Sequence, residues 1–555
     1  MTTEADQREP TPAEPAQSRY DYRFWAIIWA LCITGLLSAL DASIISTTLP
    51  TIVKDLNSGS LYVWAPSSFF LAQTAATPIY GQTANIFGRR VLMIVAIGLF
   101  TFGSGIAGGA SNTAMLIAGR VIQGIGGGGI NVLVDMIVCD LVPLRERTKF
   151  MGIIFAVFGM GTTVGPIIGG AIVQHTTWRW VFYLNLPVSA VSLALIFFFL
   201  RVNYRRDVTF EEKLLRIDII GNAILVTSVI SILIPLTYGG TIQPWNSWRV
   251  VIPLVIGFAG LVAFHCFQAS SYCKEPTMPL RLFSNRTSAG AFALTFMHGM
   301  LMYWAVFFLP VYFQAVLEAS PGRSGVDLLP LVVSVLPFAI TAGIFITSVG
   351  RYRPCHFVGF AAFTIGMGCC SILNSKTPTG VWVVFQLILG VGAGAALTST
   401  LPAIQAPLPE SDVATATATW GFVRSFGAVW GVAIPSAVFN SRVSSLLGRI
   451  SDDPTRELLA RGGAYERASK WFITSFNDRP ALKSEVIGVY SDGLKLVWQV
   501  GIGFSLLGML IALFVKEVKM REELDTEFGL EEKSAALAAE ANEAPQSAKT
   551  NRQQT

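Results

Sequence analysis

Charged side chains are scarce in this chain: Lys, Arg, Asp and Glu make up 14% of its 555 residues, whereas soluble proteins carry roughly 25%. The charged residues are unevenly distributed along the chain, because 38 of the 75 lie in the stretches 1–24, 441–492 and 516–555. The other 439 residues hold 37 charges, too few to cover a surface that faces water. This excludes a soluble enzyme, a nucleic-acid-binding protein and a disordered scaffold. With 52% hydrophobic residues, we expect a polytopic protein that lies in a lipid bilayer.

Motifs for nucleotide and metal chemistry are also absent from the sequence. It contains no GxxxxGK[ST] phosphate-binding loop and no HExxH, and its four histidines lack metal-ligand spacing. The stretches 103–108 and 124–129 satisfy GxGxxG, but neither follows a strand, so we expect these glycines to let helices pack closely. We therefore expect no enzyme activity, no cofactor and no metal, and any work against a gradient must be driven by an ion gradient.

Fourteen mostly apolar runs are long enough to cross a bilayer, which takes about 20 residues per helix. They lie near residues 25–50, 62–84, 91–110, 113–138, 150–173, 180–200, 217–238, 250–268, 289–317, 326–348, 356–374, 380–402, 412–440 and 493–515. Alternate short loops carry 15 Lys or Arg on one side and five on the other. Because basic loops stay in the cytosol, both termini are predicted to be cytosolic. The tail before Tyr20 does not resemble a cleaved signal, so the first span is expected to direct insertion.

Four charged residues lie in predicted spans more than two residues from either end, and a charge at the bilayer centre costs roughly 2.5–3.5 kcal/mol. Asp41, in the first span, either couples transport to a proton or substrate or serves as a structural partner for an Arg. Arg120 lies one helical turn before Gln123, and a buried guanidinium must be paired. Asp135 follows Arg120 by about 22 Å along a helix axis, so the two cannot pair directly, and we expect a solvated role near the cytosolic end. Arg424 is the fourth.

Aromatic residues surround Arg424 in the sequence and recur in the ninth span. Two interpretations of Arg424 stay open. In the first it stacks on these rings or faces a ligand; in the second it is a cation that snorkels or is paired for packing. The aromatic residues of the ninth span either line an apolar pocket or serve ordinary helix packing. The candidate cavity residues are His298, Tyr303, Trp304, Phe307 and Trp420.

Several stretches resemble the motifs of one transporter family. Residues 81–90 (GQTANIFGRR) resemble the GxLaDxxGRr loop signature of the major facilitator superfamily. Residues 40–50 resemble the first-span motif of its fourteen-span drug:proton antiporters, residues 120–126 (RVIQGIG) the fourth-span motif RxxqGxG, and residues 161–170 (GTTVGPIIGG) the fifth-span motif GxxxGPxxGG. The gating residues that this resemblance implies are Gly81, Asn85, Gly88, Arg89, Arg90, Gly161, Gly165, Pro166, Gly169 and Gly170.

The resemblance implies an all-α membrane fold of two six-helix bundles with two further helices between them. The implied divisions are a cytosolic disordered tail (1–24), an N-terminal bundle (25–200), a linker with inserted helices seven and eight (201–268), a C-terminal bundle with an extracellular loop (289–515, loop 441–492) and a second disordered tail (516–555). Further stretches, 178–187 and 275–283, resemble fungal members that export toxins and secondary metabolites. A monomer in the plasma membrane is expected, with a vacuolar or vesicle membrane as the alternative location.

One position departs from the family pattern, because the acid of the loop signature is replaced by Asn85. An amide keeps a hydrogen bond but not the charge of an ion-pair switch. Either Asp140 or Glu146 in the next inward loop supplies the missing charge, or the gate is weaker.

These observations predict a secondary transporter that exports a small, apolar or amphipathic organic molecule in exchange for protons. In this hypothesis Asp41 carries or senses the proton and Arg120 tunes it, with Gln123, Asp135 and Arg424 as further coupling or transport residues. The alternatives are uptake of a siderophore, transport of basic amino acids into a vacuole, a receptor that binds without transport, and a channel. The scarcity of carboxylates in the spans counts against a cationic substrate.

Overall fold

The computed structural model describes residues 21–56, 64–200, 210–239, 243–460 and 462–521. Within these ranges the fold is all-helical and contains no strand, as predicted. The helices of the first half are α1 (Tyr22–Leu56), α2 (Trp64–Phe87), α3 (Arg89–Gly108), α4 (Thr113–Leu141), α5 (Leu144–His175), α6 (Trp180–Tyr183) and α7 (Asn185–Phe199). The central helices are α8 (Phe210–Leu215), α9 (Ile219–Tyr238) and α10 (Trp248–Gln268).

The second half has the same character. Its helices are α11 (Arg281–Ser284), α12 (Arg286–Val311), α13 (Pro321–Val349), α14 (Arg353–Cys370), α15 (Thr379–Gln405), α16 (Glu410–Leu446), α17 (Asp453–Leu459), α18 (Gly463–Glu466), α19 (Lys470–Thr474) and α20 (Pro480–Phe514). A π-helical turn, Tyr312–Val316, continues α12.

Twelve candidate membrane spans occur in the described part of the chain, judged by length and hydropathy. The predicted second and eleventh spans are not among them, although α2 and α14 are continuous helices of 24 and 18 residues. Polar residues reduce their hydropathy, since α2 contains Gln73, Gln82 and Asn85, and α14 contains Arg353 and His356. The predicted number of fourteen spans therefore stays a prediction.

Each half is a bundle in which glycines set how closely helices approach. In the first bundle, α4 packs against both α2 and α3. A methyl group added at Gly124 or Gly128 would overlap the backbone of α2, and one added at Gly126 would overlap the backbone of α3. The glycine pattern thus serves helix packing, as predicted.

The central helices α9 and α10 pack against each other, and α9 also contacts α2 of the first half and α16 of the second. This pair is therefore attached to both bundles and is not an independent domain.

The connection between the last two long helices is shorter than the apolar runs indicate. Helix α16 continues to Leu446 and α20 begins at Pro480. The first turns of α20 bury Leu482, Val486 and Val489, whereas Lys483 and Glu485 between them stay partly accessible, a pattern that a search for continuous apolar runs does not detect. The connection contains the short helices α17, α18 and α19, and the hydroxyl of Tyr490 in α20 donates to the carbonyl of Ala464 (2.7 Å).

Candidate functional site

A buried cluster around Asp41 joins four helices of the first bundle. The carboxylate of Asp41 accepts hydrogen bonds from Arg120 Nη1 (2.5 Å), Gln123 Nε2 (2.6 Å) and Asn185 Nδ2 (2.8 Å). The side chains of Asp41 and Arg120 have 0% of their surface accessible. The structure thus brings Asp41, Arg120 and Gln123 together and balances the carboxylate charge with the guanidinium.

The guanidinium of Arg120 makes further contacts that fix its position. Its Nε donates to the carbonyl of Ala65 (3.1 Å), and its carbon lies 4.3 Å from the centre of the Phe69 ring. A buried ion pair of this kind is strongly destabilised when one partner is removed, since the other charge is left without compensation. Gln123 also donates to Ser104 Oγ on α3 (2.8 Å), so the cluster connects α1, α3, α4 and α7.

Asn185 is the member of this cluster that sequence reasoning missed. It lies at the first position of α7 and is 1% exposed. The available signal was an amide at the start of an apolar run, within the stretch 178–187 that resembles other transporters. Which helix this amide faces depends on how α7 packs, and the sequence pattern does not encode that.

Asp135 does not have the solvated role predicted for it. It is 3% exposed, because α4 continues to Leu141 and all its residues from 132 to 141 are buried. Helix α4 contacts α16 of the other half here, and the Arg424 guanidinium of α16 acts electrostatically on the Asp135 carboxylate. Within the described residues, no hydrogen-bond donor to this carboxylate is found. Asp135 is therefore an acid enclosed between the two halves.

Arg424 lies among aromatic rings from both halves, as one of the two predictions for it states. Its guanidinium carbon is 4.3 Å from the ring centre of Trp420 and 5.7 Å from that of Phe155 on α5. Trp420 is held in turn by a hydrogen bond from its Nε1 to Thr400 Oγ1 (3.0 Å). The same positive charge acts on His298 and Tyr303 of α12. Arg424, Asp135 and the surrounding aromatic rings thus lie near one another between the bundles. This group is the central site.

The candidate cavity residues of α12 separate into two groups. Tyr303 and Phe307 stack on each other, with ring centres 6.1 Å apart, and are 36% and 38% exposed. Trp304 is fully buried and its ring lies 5.9 Å from that of Phe504 on α20. The prediction of Trp304 as a cavity residue is wrong, because neighbouring helix positions point about 100° apart.

His298 and Trp420 also have little accessible surface. His298 is 5% exposed and lies beside the ring of Phe363 (6.4 Å between centres). Trp420 is 1% exposed and lies beneath Arg424. Both side chains therefore pack against residues of the central site and contribute little accessible surface to it.

The loop signature forms ionic and carbonyl contacts at the end of the molecule predicted to be cytosolic. Arg89 Nε pairs with Asp140 Oδ2 (2.8 Å), and Arg89 Nη1 donates to the carbonyl of Ala84 (2.7 Å). Of the two acids considered from the sequence, Asp140 is thus the partner of Arg89. Arg90 Nη2 donates to the carbonyl of Phe197 near the end of α7 (2.5 Å). Both arginines bind carbonyls near helix C-termini, where cations are favoured.

Asn85, which stands where the loop signature has an acid, contacts the second half. Its Nδ2 donates to Thr415 Oγ1 on α16 (3.1 Å), so the amide links the two halves. Arg147 adds a second link, with Nη2 pairing with Glu410 (2.8 Å) and Nη1 donating to Gln405 (2.9 Å). These contacts close the space between the halves at this end.

The other residues of the motifs for which gating is predicted have several environments. Gly88 has a φ of 85°, which favours glycine between α2 and α3. A methyl group at Gly81 would overlap Ala418 of the other half, one at Gly161 would lie 3.0 Å from α1, and one at Gly165 would overlap Ser43. Gly169 is buried and Gly170 has open space around it. The side chain of Pro166 lies outside the described residues.

A segment after α10 also connects the two halves. Gln82 of α2 donates to the carbonyl of Glu275 (2.7 Å) and accepts from Asn222 of α9 (2.8 Å). Six residues beyond Glu275, Arg281 binds the carboxylate of Asp412 on α16 through Nε (2.9 Å) and Nη2 (2.8 Å). The segment therefore reinforces closure at this end.

Comparison with known proteins agrees with this architecture. The family model described as Major Facilitator Superfamily matches residues 31–432. The MFS-type efflux pump LUC4 of Fusarium sp is 51% identical over 527 residues, which are 95% of this chain and 93% of that protein. The Acurin A biosynthesis cluster MFS-type transporter of Aspergillus aculeatus is 48% identical over 511 residues, 92% of each chain. The crystal structure of the human organic anion transporter MFSD10 (TETRAN) matches with a TM-score of 0.57 at 15% identity, over 89% of this chain and 100% of that one, a likeness of fold alone.

Proposed function

This chain belongs to the major facilitator superfamily, and from that membership we propose that it exports a small organic molecule across a membrane in exchange for protons. The observation that carries export is the 51% identity, over more than nine-tenths of both chains, to a protein named an efflux pump. The chain is an integral membrane transporter whose long helices are apolar.

We propose fourteen spans and membership of the drug:proton antiporters with that number. Helices α2 and α14 support this count, because each packs within its bundle against helices that meet the span criterion. With both termini in the cytosol, the charge bias of the loops is satisfied. The proposed location is the plasma membrane, and the proposed oligomeric state is a monomer.

Proton coupling is assigned to Asp41. In the conformation closed at the predicted cytosolic end, the Asp41 carboxylate accepts hydrogen bonds from three N–H groups of α4 and α7. A proton bound by Asp41 removes the charge that Arg120 neutralises, which weakens the contacts that hold α1 to α4 and α7. These helices can then shift, so protonation of one side chain biases the conformation of the whole bundle. Arg120 in this scheme tunes proton binding.

The substrate site is assigned to the space between the halves. Tyr303 and Phe307 supply accessible ring surface. Arg424 supplies a cation over the ring of Phe155, and Asp135 supplies an enclosed carboxylate. Such a lining fits an amphipathic molecule with a large apolar body and a few polar groups. A secondary metabolite of a biosynthetic cluster is the proposed substrate class, as the name of the Aspergillus aculeatus relative indicates for that protein.

Gating is assigned to the contacts at the predicted cytosolic end. The Arg89–Asp140 pair keeps α3 against α4, and the Asn85–Thr415 and Arg147–Glu410 contacts join the halves. Export requires these contacts between halves to break so that the substrate can enter from the cytosol.

The test uses inside-out vesicles from pump-deficient yeast that express the full chain. A panel of toxic fungal metabolites first identifies one compound whose toxicity the chain relieves. Uptake of that compound into the vesicles is then expected to rise when the lumen is acidic and to stop when a protonophore is added. Asp41→Asn is expected to abolish the gradient-driven uptake, whereas Asp453→Asn, on an exposed helix of the outer connection, serves as the matched control. Uptake that ignores the pH gradient would refute proton coupling.

A further inference from the structure

Helix α7 carries a stripe of polar side chains on its buried face. Asn185, Ser189 and Ser192 are 1%, 0% and 0% exposed. Their spacing of four and then three residues places them on one face of the helix, and Ile196 continues the same face. This face packs against α1 and α3. Three polar residues thus follow each other inside the bundle.

Three oxygen atoms of this stripe lack protein partners among the described residues. Asn185 Oδ1, Ser189 Oγ, Ser192 Oγ and, next to them, Arg120 Nη2 are all buried without a hydrogen bond to any described residue. A serine inside a helix commonly satisfies its hydroxyl on the carbonyl four residues earlier, as Ser104 of α3 does (2.8 Å). Ser189 and Ser192 do not do so. Buried polar atoms are rarely left unsatisfied, and ordered water is the usual partner that protein atoms alone do not reveal.

The stripe begins at the coupling carboxylate and leads toward the cytosolic end. Asn185 donates to Asp41 (2.8 Å), and the far end of α7 is bound by Arg90 of the loop signature. Seven residues from Asn185 to Ser192 span about 10 Å along the helix. On α1, buried Ser38 and Thr34 precede Asp41 by three and seven residues on its own face and extend in the same direction.

We propose that these side chains line a file of water molecules that conducts protons between Asp41 and the cytosolic end of the first bundle. Around Asp41, α4 presents the charged Arg120 and the neutral Gln123, α3 presents Ser104 and α7 presents Asn185, so Arg120 is the charged group at the head of the file. The inference rests on the proposed coupling of transport to protons through Asp41.

Apolar side chains close the cytosolic end of the file in this conformation. Ile196 and Leu200, below Ser192, and Ile27 on α1 all have 0% of their surface accessible and belong to one packed core. The file therefore does not leak protons while the transporter is closed toward the cytosol. A shift of α1 against α7 opens it, which gives the proton an exit separate from the substrate space between the halves.

The experiment compares two pairs of valine substitutions on α7 in reconstituted vesicles. Ser189→Val with Ser192→Val fills the file and removes both hydroxyls, whereas Ala190→Val with Ala194→Val adds similar bulk to the exposed face of the same helix. The probe is the exported compound identified in yeast. Gradient-driven transport by the serine double variant is expected to fall about tenfold, equivalent to about 1.4 kcal/mol on the barrier. Substrate counterflow without a gradient, which needs no net proton movement, is expected to stay at the level of the control pair.

The outcomes separate the two proposals. Wild-type transport that ignores the gradient overturns proton coupling and, with it, the file. Wild-type coupling together with unchanged gradient-driven transport in the serine double variant overturns the file alone. Where the double variant does not fold, Ser192→Ala is expected to reduce gradient-driven transport and Ser192→Thr, which keeps a hydroxyl, to restore it. Equal rates for the two single variants overturn the file.

Discussion

The buried pair of Asp41 and Arg120 allows a double-substitution test of the cluster. In Arg120→Gln the carboxylate keeps its donors from Gln123 and Asn185 but loses its counter-charge. In Asp41→Asn the guanidinium keeps the Ala65 carbonyl but lies in an apolar bundle without an anion. Each single substitution therefore leaves one uncompensated charge. The double substitution leaves none.

The magnitude follows from the complete burial of both side chains. Removal of one partner from a buried ion pair costs about 3–5 kcal/mol, whereas replacement of both by neutral groups is often close to neutral. We expect each single variant to lose stability in that range. The double variant is expected to recover most of the loss, so that the coupling energy in the cycle is several times the thermal energy.

The assay is thermal unfolding of the purified protein in detergent, followed by the fluorescence of its tryptophans and by retention of the monodisperse peak. The expected order of melting temperature is wild type, then the double variant, then the two single variants. A matched cycle at the exposed pair of Arg449 and Asp492, where the side chains are 59% and 43% accessible, is expected to show coupling of at most about 1 kcal/mol. Additive losses at Asp41 and Arg120 would refute the reasoning, because they would show that the two charges do not compensate each other.

Three further predictions concern packing, closure and pH. Gly126→Leu is expected to abolish accumulation of folded protein, since any side chain there overlaps the backbone of α3. Gly98→Leu is expected to be tolerated, because no atom lies within 4 Å of the added carbon. The fluorescence of a fused reporter after size-exclusion chromatography measures the folded protein in both variants. Arg281→Ala is expected to weaken the closed state by about 1 kcal/mol or less, because the Arg281 side chain is 64% exposed although Asp412 is buried. The measurement is the labelling rate of a cysteine placed between the halves, which is expected to increase in the variant. The Thr455 hydroxyl donates a hydrogen bond to Asp452 and holds the pKa of that carboxyl below its usual value. The stabilisation of α17 by Asp452 is therefore complete above about pH 4 and is lost as the pH falls through the folded pKa. The measurement is the hydrogen-exchange protection of the α17 amides, corrected for the pH dependence of the intrinsic exchange rate, and protection that does not fall with the pH in this window would contradict the prediction.

The pairing of Asp41 with Arg120 is a feature that the sequence predicted well. A charge inside an apolar run needs a partner, and the distance along α4 excluded Asp135 as the partner of Arg120, so Asp41 remained. The structure shows this pair with Gln123 added. The Arg89 contact shows the limit of such reasoning. The sequence left Asp140 and Glu146 open, because both lie within a few residues of the end of α4, and only the folded structure shows that Asp140 pairs with the guanidinium.

The central site was not predictable in the same way. The sequence placed Asp135 near a helix end, and the position along α4 was right, but contact with α16 of the other half buries it. Likewise, Tyr303 and Trp304 are neighbours of the same chemical type, and only the rotation of about 100° between their directions on α12 separates an accessible ring from a packed one.

The sequence by itself determined that this protein is an all-helical membrane transporter of this family, approximately where its helices lie, and which charges in them need partners. These properties depend on the transfer of each segment from water to hydrocarbon, a local quantity that residue type and position along the chain set. Only the tertiary structure decided that Asn185 donates to Asp41, that Asp135 lies close enough to Arg424 to interact with it electrostatically, and that unpaired hydroxyls follow one face of α7. These features depend on which helix face meets which neighbour, and that is settled by the packing of two bundles whose contacts lie hundreds of residues apart in the chain.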